Sequence, residues 1–167
     1  MRSKNMQYFS NKLTESMEDY LEAIVILTNK GKPVTVTDIS NILGVKKPSV
    51  TSALKKLNQS NLVKHEKYGD VSLTEEGKRI GHEVYKRHRT LRRFLTEILK
   101  VDQEHADTDA CRMEHVISKT SLEKLTKFLD FVLNCPRGNA EWLKGLDYYF
   151  KYGKRNKKLL EKCNRKE

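Results

Sequence analysis

The sequence predicts a mainly α-helical protein with a small β-wing, in which an N-terminal winged helix-turn-helix precedes an all-helical domain. Three observations lead to this fold class. Two short segments with helical apolar spacing flank a turn at Gly44, a β-hairpin pattern with a turn at Gly69 follows, and only helical patterns are found beyond Thr74. Two helices joined by a tight turn and followed by a hairpin form a winged helix-turn-helix.

The N-terminal elements are predicted in order along the chain. The first helix begins near a cap at Thr14 or Ser16 and ends at 29–31. The stretch 34–36 predicts a very short strand, and Thr37 is expected to cap a short helix that turns Ile39, Ile42 and Leu43 inward. The second helix begins at Lys46 or Lys47, carries Pro48 in its first turn and runs to about Gln59, and strands at 62–67 and 71–74 enclose the hairpin turn.

The remainder of the chain predicts further helices. A long helix runs from Thr74 to Leu99, the next from Asp102 to about Ile117, and a third from a cap at Ser121 to Leu133. Residues 135–138 form a break, and a last helix covers 141–152, whose aromatic residues are expected to pack on the preceding helices. The predicted domains are 1–74, a winged-helix DNA-binding domain, 75–150, a helical domain, and 151–167, a basic tail.

The charge balance favours a polyanionic partner. The 167 residues carry 33 Lys and Arg against 22 Asp and Glu, a net charge of +11, and the tail 151–167 holds 8 basic residues against 2 acidic ones. Such a surplus favours nucleic acid or an acidic membrane surface. Three scattered cysteines do not form a disulfide framework, and neither a signal peptide nor a membrane-spanning run is found, so we expect a soluble cytoplasmic protein.

The second helix of the predicted helix-turn-helix has the composition of a DNA-reading helix. Its solvent face combines short hydroxyl side chains, which allow close approach to bases, with lysines that can hold phosphates. A basic face can also be merely solvated, but the turn and the hairpin beside it favour DNA binding. The residues predicted to contact DNA are Lys46, Lys47, Pro48, Ser49, Thr51, Ser52, Lys55 and Lys56 on the helix and Lys64, Lys67 and Tyr68 on the wing.

Donor side chains of the kinds that bind metal ions recur at helical spacing. They are Asp19, Glu22, His88, Cys111, Glu114 and His115. Carboxylate, imidazole and thiolate together suit a first-row divalent ion. Each also has an ordinary interpretation, namely a solvated acidic face or helix-dipole complement for the first pair, a surface position in a basic run for the long-helix histidine, and a small buried side chain for the cysteine.

Four motifs together resemble one family. With SMEDYLE at 16–22, Val50-Thr51 in the second helix, LTEEG at 73–77 and CRMEH at 111–115, residues 13–135 resemble the DtxR/MntR family of metal-dependent repressors. The resemblance implies a winged-helix domain followed by a helical dimerisation domain, a homodimer, and double-stranded operator DNA as the partner. It also implies control by Mn²⁺ or Fe²⁺, with one or two ions per subunit and with Zn²⁺ or Co²⁺ as possible substitutes in vitro.

The resemblance further implies that all six donors are metal ligands, in a combination that belongs to no single branch. Asp19 and Glu22 match the manganese-sensing branch, whereas Cys111 matches the iron-sensing branch. Arg92 and Asp107 stand where the iron-sensing branch has the glutamate and histidine of an ancillary site, so a site of that type is not expected. A binuclear site of the manganese type stays open.

The expected mechanism is a metal-dependent change in the spacing of the two DNA-reading helices of a dimer. An ion bound by ligands on both the first helix and the helical domain would join the two parts of the chain. Because a ligand favours the conformation that it binds best, the ion would shift the dimer toward the arrangement that fits DNA. An apolar stripe at Leu91, Phe94, Leu95, Ile98 and Leu99 predicts a dimer surface, although part of it can belong to the core.

Two other function classes compete with this interpretation. A winged-helix regulator that answers to an organic ligand or to a protein would need no metal. A metalloenzyme is disfavoured because the sequence has no HExxH, no GxxxxGK[ST] and no GxSxG motif. We therefore expect no enzymatic activity.

Overall fold

The structure, a computed structural model, describes residues 13–65, 69–134 and 141–157. The chain divides into two compact units, Met1–Lys86 and Arg87–Glu167, and the long helix α4 crosses the boundary between them. The division lies twelve residues beyond the predicted domain boundary at 74, because the first part of α4 packs within the first unit. Within the described ranges, no helix is long and apolar enough to span a membrane.

The first unit is a winged helix-turn-helix, which confirms the predicted fold class. Its elements are α1 (Glu15–Thr28), α2 (Val36–Leu43), α3 (Lys47–Gln59), β1 (Val63–His65) and β2 (Val71–Leu73). The first part of α4, a helix that covers Glu75–Arg93, also belongs to this unit. Gly31 beyond the end of α1 and Gly44 between α2 and α3 take positive φ angles of 72° and 64°, which glycine adopts at little cost. Pro48 lies in the first turn of α3, where its missing N–H removes no helical hydrogen bond.

The start of α2 differs from the prediction. Thr35, not Thr37, caps the helix: its hydroxyl accepts from the Asp38 N–H at 3.2 Å, and the Asp38 carboxylate accepts from the Thr35 N–H at 3.1 Å. The predicted strand at 34–36 is reduced to one bridge, in which the Val71 N–H donates to the Val34 carbonyl at 2.8 Å. The capping box begins the helix at Val36 and so ends any extended segment before it.

One core joins the three helices to the hairpin. Its largest fully buried members are Leu21, Ile24, Ile39, Val50, Leu54, Leu57 and Val63. The predicted inward position of Ile42 is wrong, because that side chain is 39% exposed. The buried side chains of α3 are Val50, Ala53, Leu54 and Leu57, and they leave the opposite face of that helix in solvent.

The hairpin is a short antiparallel pair that connects directly to α4. Val63 pairs with Leu73 and His65 with Val71. Thr74 joins the hairpin to the helix by donating its hydroxyl to the Asn61 carbonyl at 2.9 Å while accepting from the Gly77 N–H at 3.1 Å. The predicted wing residues Lys67 and Tyr68 lie outside the described residues.

The second unit consists of helices. After α4, the chain forms a π-helical turn (Phe94–Ile98), then α5 (Gln103–Glu114), α6 (Lys119–Leu133) and α7 (Glu141–Tyr152). The helical segment therefore extends close to its predicted end at Leu99, but its last five residues are π-helical rather than α-helical. Asp102 caps α5 as predicted, whereas Ser118, not Ser121, caps α6 by accepting from the Ser121 N–H at 3.1 Å.

Much of the stripe predicted as a dimer surface lies in the core of the second unit. Leu91, Leu95 and Ile98 are 0%, 7% and 3% exposed, because they pack against small residues of α5 and apolar residues of α6. The aromatic residues of α7 are less buried than predicted, since Trp142 and Phe150 are about half exposed. The predicted break at 135–138 lies outside the described residues.

Candidate metal centre and DNA-binding surface

The acidic pair of α1 shares one side of the helix, as its spacing predicts. Asp19 is partly exposed and Glu22 is 8% exposed. Burial and, to a smaller extent, the nearby Asp19 carboxylate raise the pKa of Tyr20. Helix α1 therefore carries two carboxylates one helical turn apart, and one of them is almost fully removed from water.

Three donors gather at the C-terminal end of α5. Glu114 is the last residue of the helix and His115 is its C-cap, with φ −81° and ψ −21°. Because residues three and four positions apart lie on one side of a helix, Cys111 is placed next to both. Its sulfur, a Glu114 carboxylate oxygen and a His115 ring nitrogen all lie within 4.8 Å of one another. The three donor side chains therefore lie on one side of α5, as their spacing in the sequence requires.

Glu114 is the centre of this group. Its side chain is fully buried, and its two carboxylate oxygens face two imidazole rings: Oε2 lies 2.9 Å from His88 Nδ1, and Oε1 lies 3.5 Å from His115 Nε2. Among the described residues, Oε1 accepts no hydrogen bond. A buried carboxylate oxygen without a hydrogen bond is costly, and such groups are normally paired or bound to a metal.

The residues present fit a divalent cation. Cys111, Glu114, His115 and His88 offer a thiol sulfur, a carboxylate and two imidazoles, a mixture that suits iron, cobalt or zinc and also admits manganese. A cation between these groups would satisfy the Oε1 atom of Glu114.

Two residues beside His88 were not assigned as site residues from the sequence. Asp107 Oδ1 lies 3.6 Å from His88 Nε2, and the Asp107 carboxylate is ion-paired with Arg92. In the sequence, both residues are recognisable only as departures from a family pattern. The spacing 88–92 along α4 placed Arg92 near His88, but no sequence signal placed Asp107 against the other side of the same ring.

The exposed face of α3 carries the predicted DNA-contacting residues. Every one of those on α3 and at its N-cap is exposed, and Lys64 of β1 is exposed as well. Thr51 also donates its hydroxyl to the Lys47 carbonyl at 3.1 Å. Within the described part of the chain, no acidic side chain forms an ion pair with the lysines of this helix, Lys47, Lys55 and Lys56, or with its N-cap Lys46. The face therefore keeps its positive charge for an anionic partner.

These features define a class of protein: a winged-helix DNA-binding unit followed by a helical unit with a candidate site for a divalent cation. Two family models match the chain, "Iron dependent repressor, N-terminal DNA binding domain" over residues 12–71 and "Iron dependent repressor, metal binding and dimerisation domain" over 74–143. The chain belongs to the iron-dependent repressor family, whose members include metal-dependent transcriptional repressors, and the predicted family is confirmed.

Relatives and solved structures agree. The chain is 34% identical over 119 residues to the uncharacterised transcriptional regulator MJ0568 of Methanocaldococcus jannaschii, covering 71% of this chain and 95% of that protein. It is 36% identical over 118 residues to the transcriptional regulator MntR of Bacillus subtilis, covering 71% and 82%. Among solved structures it resembles the manganese regulator SloR, with TM-score 0.63, 29% identity and coverage of 71% and 55%, and IdeR of T. acidophilum, with TM-score 0.62, 29% identity and coverage of 77% and 59%. The chain therefore spans somewhat more than half the length of those two structures.

Proposed function

We propose that this chain is a metal-dependent transcriptional repressor that binds operator DNA as a homodimer when it is loaded with Mn²⁺ or Fe²⁺ and thereby controls metal homeostasis. The observation that carries the proposal is Glu114, a fully buried carboxylate between two imidazoles with one oxygen that accepts no hydrogen bond from the described residues. Family membership supplies the rest, since the matched models are named for DNA binding and for metal binding and dimerisation.

The metal ligands proposed for the second unit are His88, Cys111, Glu114 and His115. Donor atoms of the last three lie within 4.8 Å of one another, and His88 lies 2.9 Å from the Glu114 carboxylate. The ion would supply the positive charge that the buried carboxylate requires. Asp19 and Glu22 are proposed as further ligands because they match the acidic pair of the manganese-sensing relatives. One or two ions per subunit are compatible with this number of donors.

The DNA contacts are proposed to come from α3 and the wing. The lysines at 46, 47, 55, 56 and 64 would bind phosphates, and Ser49 and Ser52 would approach base edges in the major groove. Lys67 and Tyr68 of the wing remain part of this proposal. Each phosphate contact contributes about −0.9 to the slope of log affinity against log salt concentration, so binding should weaken steeply with salt.

The dimer surface is proposed to lie on exposed apolar residues of the second unit. Phe131 is 80% exposed, Phe128 on the same side of α6 is 40% exposed, and Val116 at the end of α5 is 75% exposed. All three fall within the matched metal-binding and dimerisation domain. Large apolar side chains left in water favour burial against a second copy.

The experiment that tests the proposal uses the full chain and DNA duplexes selected from a random-sequence library in the presence of Mn²⁺ or, without oxygen, Fe²⁺. Fluorescence anisotropy should show at least about tenfold tighter binding with metal than with chelator, a coupling free energy of about 1.4 kcal/mol. Asp19→Asn and Glu114→Gln should weaken this metal response, whereas Glu104→Gln on the exposed side of α5 should not. Equal affinity with chelator and with restored metal would refute the proposal.

We further propose that the chain has no enzymatic activity and acts in the cytoplasm, where operator DNA lies. The family of transcriptional regulators to which it belongs supports both statements. A winged-helix regulator without a metal requirement is the competing proposal, and the same titration separates the two.

A further inference from the structure

The side chains of Asp107 and Arg92 form a connected group with His88 on the side of the imidazole that faces away from Glu114. His88 Nδ1 lies 2.9 Å from Glu114 Oε2, and His88 Nε2 lies 3.6 Å from Asp107 Oδ1. Arg92, one turn along α4 from His88, is ion-paired with the same oxygen of Asp107. All four residues belong to the second unit.

The two nitrogens of His88 therefore face two carboxylates with different surroundings. Glu114 is fully buried next to the other donors, whereas the Asp107 side chain is 50% exposed and already paired with a cation. A histidine that binds a metal through one nitrogen usually directs its other N–H to a carboxylate, which fixes the orientation of the ring. The arrangement around His88 approaches this pattern: Nδ1 lies on the side of the site, and Nε2 lies 3.6 Å from Asp107 Oδ1, at ion-pair rather than hydrogen-bond distance.

We propose that Asp107, held by Arg92, is a positioning residue that presents Nδ1 of His88 to the ion bound at Glu114. The proposal rests on the proposed function and adds two residues to the machinery of the same site. Neither residue is a ligand in this assignment. Both act through His88.

Arg92 has a definite part in this arrangement. Asp107 is half exposed on the surface of α5, so its side chain would otherwise have several conformations available in water. A planar guanidinium at the same oxygen restricts those conformations and holds the carboxylate on the His88 side. The same positive charge also disfavours a divalent ion at the Asp107 carboxylate itself.

The test compares zinc binding and histidine NMR signals in the full chain and five variants. Asp107→Ala should raise the zinc dissociation constant about tenfold or more, as does the loss of other carboxylates that orient a metal-binding histidine. Arg92→Gln should raise the zinc dissociation constant less, because Arg92 acts only through Asp107. Asp109→Ala is the matched control, because Asp109 is also exposed on α5 and undergoes the same substitution, and it should bind zinc as the unmodified chain does. Alanine favours helix, so neither α5 variant should unfold.

Two further measurements separate positioning from a general effect. In a His88→Ala background, Asp107→Ala should have no additional effect on zinc affinity, because the contribution of Asp107 depends on His88. In the metal-free protein labelled with ¹⁵N-histidine, the His88 ring should give one set of signals in the unmodified chain and in Asp109→Ala, and several or broadened signals in Asp107→Ala.

The outcomes are distinguishable. Unchanged zinc affinity in Asp107→Ala, or an equal loss in the His88→Ala background, overturns the positioning role. If the unmodified chain binds no zinc, manganese or ferrous iron, the proposed function fails. The NMR comparison still decides the positioning in that case, since unchanged ring signals in Asp107→Ala contradict it.

Discussion

Replacing Glu114 by glutamine should separate the stability of the metal-free fold from the stability added by metal. The substitution keeps the shape of a side chain that is fully buried and removes its charge, 2.9 Å from one imidazole and 3.5 Å from another. In the metal-free protein the lost attraction to the imidazoles is offset by the lost cost of burying a carboxylate, so the unfolding free energy should change by less than about 1 kcal/mol. The variant loses a charged ligand, so its metal affinity should fall by about 100-fold or more. Loss of a residue that only hydrogen-bonds a ligand already lowers metal affinity about 10- to 100-fold.

The expected size of the effect follows from binding linkage. At a free metal concentration of about 100 times the dissociation constant, the unmodified chain gains about 2.7 kcal/mol. For a chain of 167 residues, each kcal/mol moves the melting temperature by roughly 2–4 °C, so metal should raise it by about 5–11 °C. With 100-fold weaker binding, the same metal concentration adds only about 0.4 kcal/mol to the variant, or roughly 1–2 °C.

Differential scanning calorimetry of both proteins with and without Mn²⁺ or Zn²⁺ measures these shifts directly. Glu104→Gln, the same chemical change at an exposed position of α5, serves as the control and should retain the full metal shift. An undiminished metal shift in Glu114→Gln would refute the reasoning, because the buried carboxylate would then contribute nothing to the site. A large loss of stability in the metal-free variant would instead show that the charge is structural.

Three further results are expected. Cys111→Glu should lower the affinity for Co²⁺ and Zn²⁺ relative to Mn²⁺ by about tenfold or more, measured by competition titration, because a thiolate favours softer ions than a carboxylate does; an unchanged ratio would exclude the sulfur as a ligand. In urea unfolding, Gly77→Ala should lower the free energy of unfolding by about 3 kcal/mol, because its Cβ would lie 1.9 Å from the Leu62 carbonyl oxygen. Gly145→Ala is the control: its Cβ meets nothing within 4 Å, so it should raise the free energy of unfolding by up to about 1 kcal/mol. Hydrogen bonds from Thr35 at the start of α2 hold the pKa of Asp38 below its ordinary value of 3.8, so the stability that they add is present above that value and lost as the pH falls through the lowered pKa. The difference in unfolding free energy between the unmodified chain and Asp38→Asn should therefore shrink below about pH 4. A difference that grows below that pH would contradict the expected direction.

The elements that the sequence predicts well are those whose signals are local. Gly44 and Pro48 mark the turn and the start of α3 through backbone preferences that act within a few residues, and the structure places both as predicted. The cap of α2 was misplaced although its signal is also local. A threonine followed three residues later by an acid is a capping-box pattern, and Thr35 with Asp38 fits it. The β-branched run at 34–36 favours an extended segment instead, and that pattern moves the predicted cap to Thr37.

Features that depend on packing between distant segments were harder to predict. The stripe containing Leu91, Leu95 and Ile98 is apolar whether it faces a second copy or its own chain, and only the positions of α5 and α6 decide that it is core. The exposed residues Phe128 and Phe131 carry no mark in the sequence that separates them from the buried apolar residues of the same helix, such as Leu129. The same limit applies to Asp107, fifteen residues beyond Arg92 in the sequence and paired with it in the structure.

The position of the donor cluster on α5 adds a physical reason for a cation there. The helix ends at Glu114, so Cys111, Glu114 and His115 all lie in its last turn or at its cap. The C-terminal end of a helix carries a partial negative charge of about half an elementary charge, which favours a nearby cation. A buried carboxylate at this end is therefore doubly unfavourable without a positive partner, because its own charge and the partial charge of the helix have the same sign. Arg112 in the same turn is exposed, and the Arg87 guanidinium lies 3.5 Å from the Glu114 backbone carbonyl. Among the described residues of the second unit, the imidazoles of His88 and His115 both face the carboxylate oxygens. A divalent ion bound by Cys111, Glu114 and His115 would offset both the carboxylate charge and the partial charge of the helix end. The need for such a positive charge favours a metal site over an incidental cluster of donors.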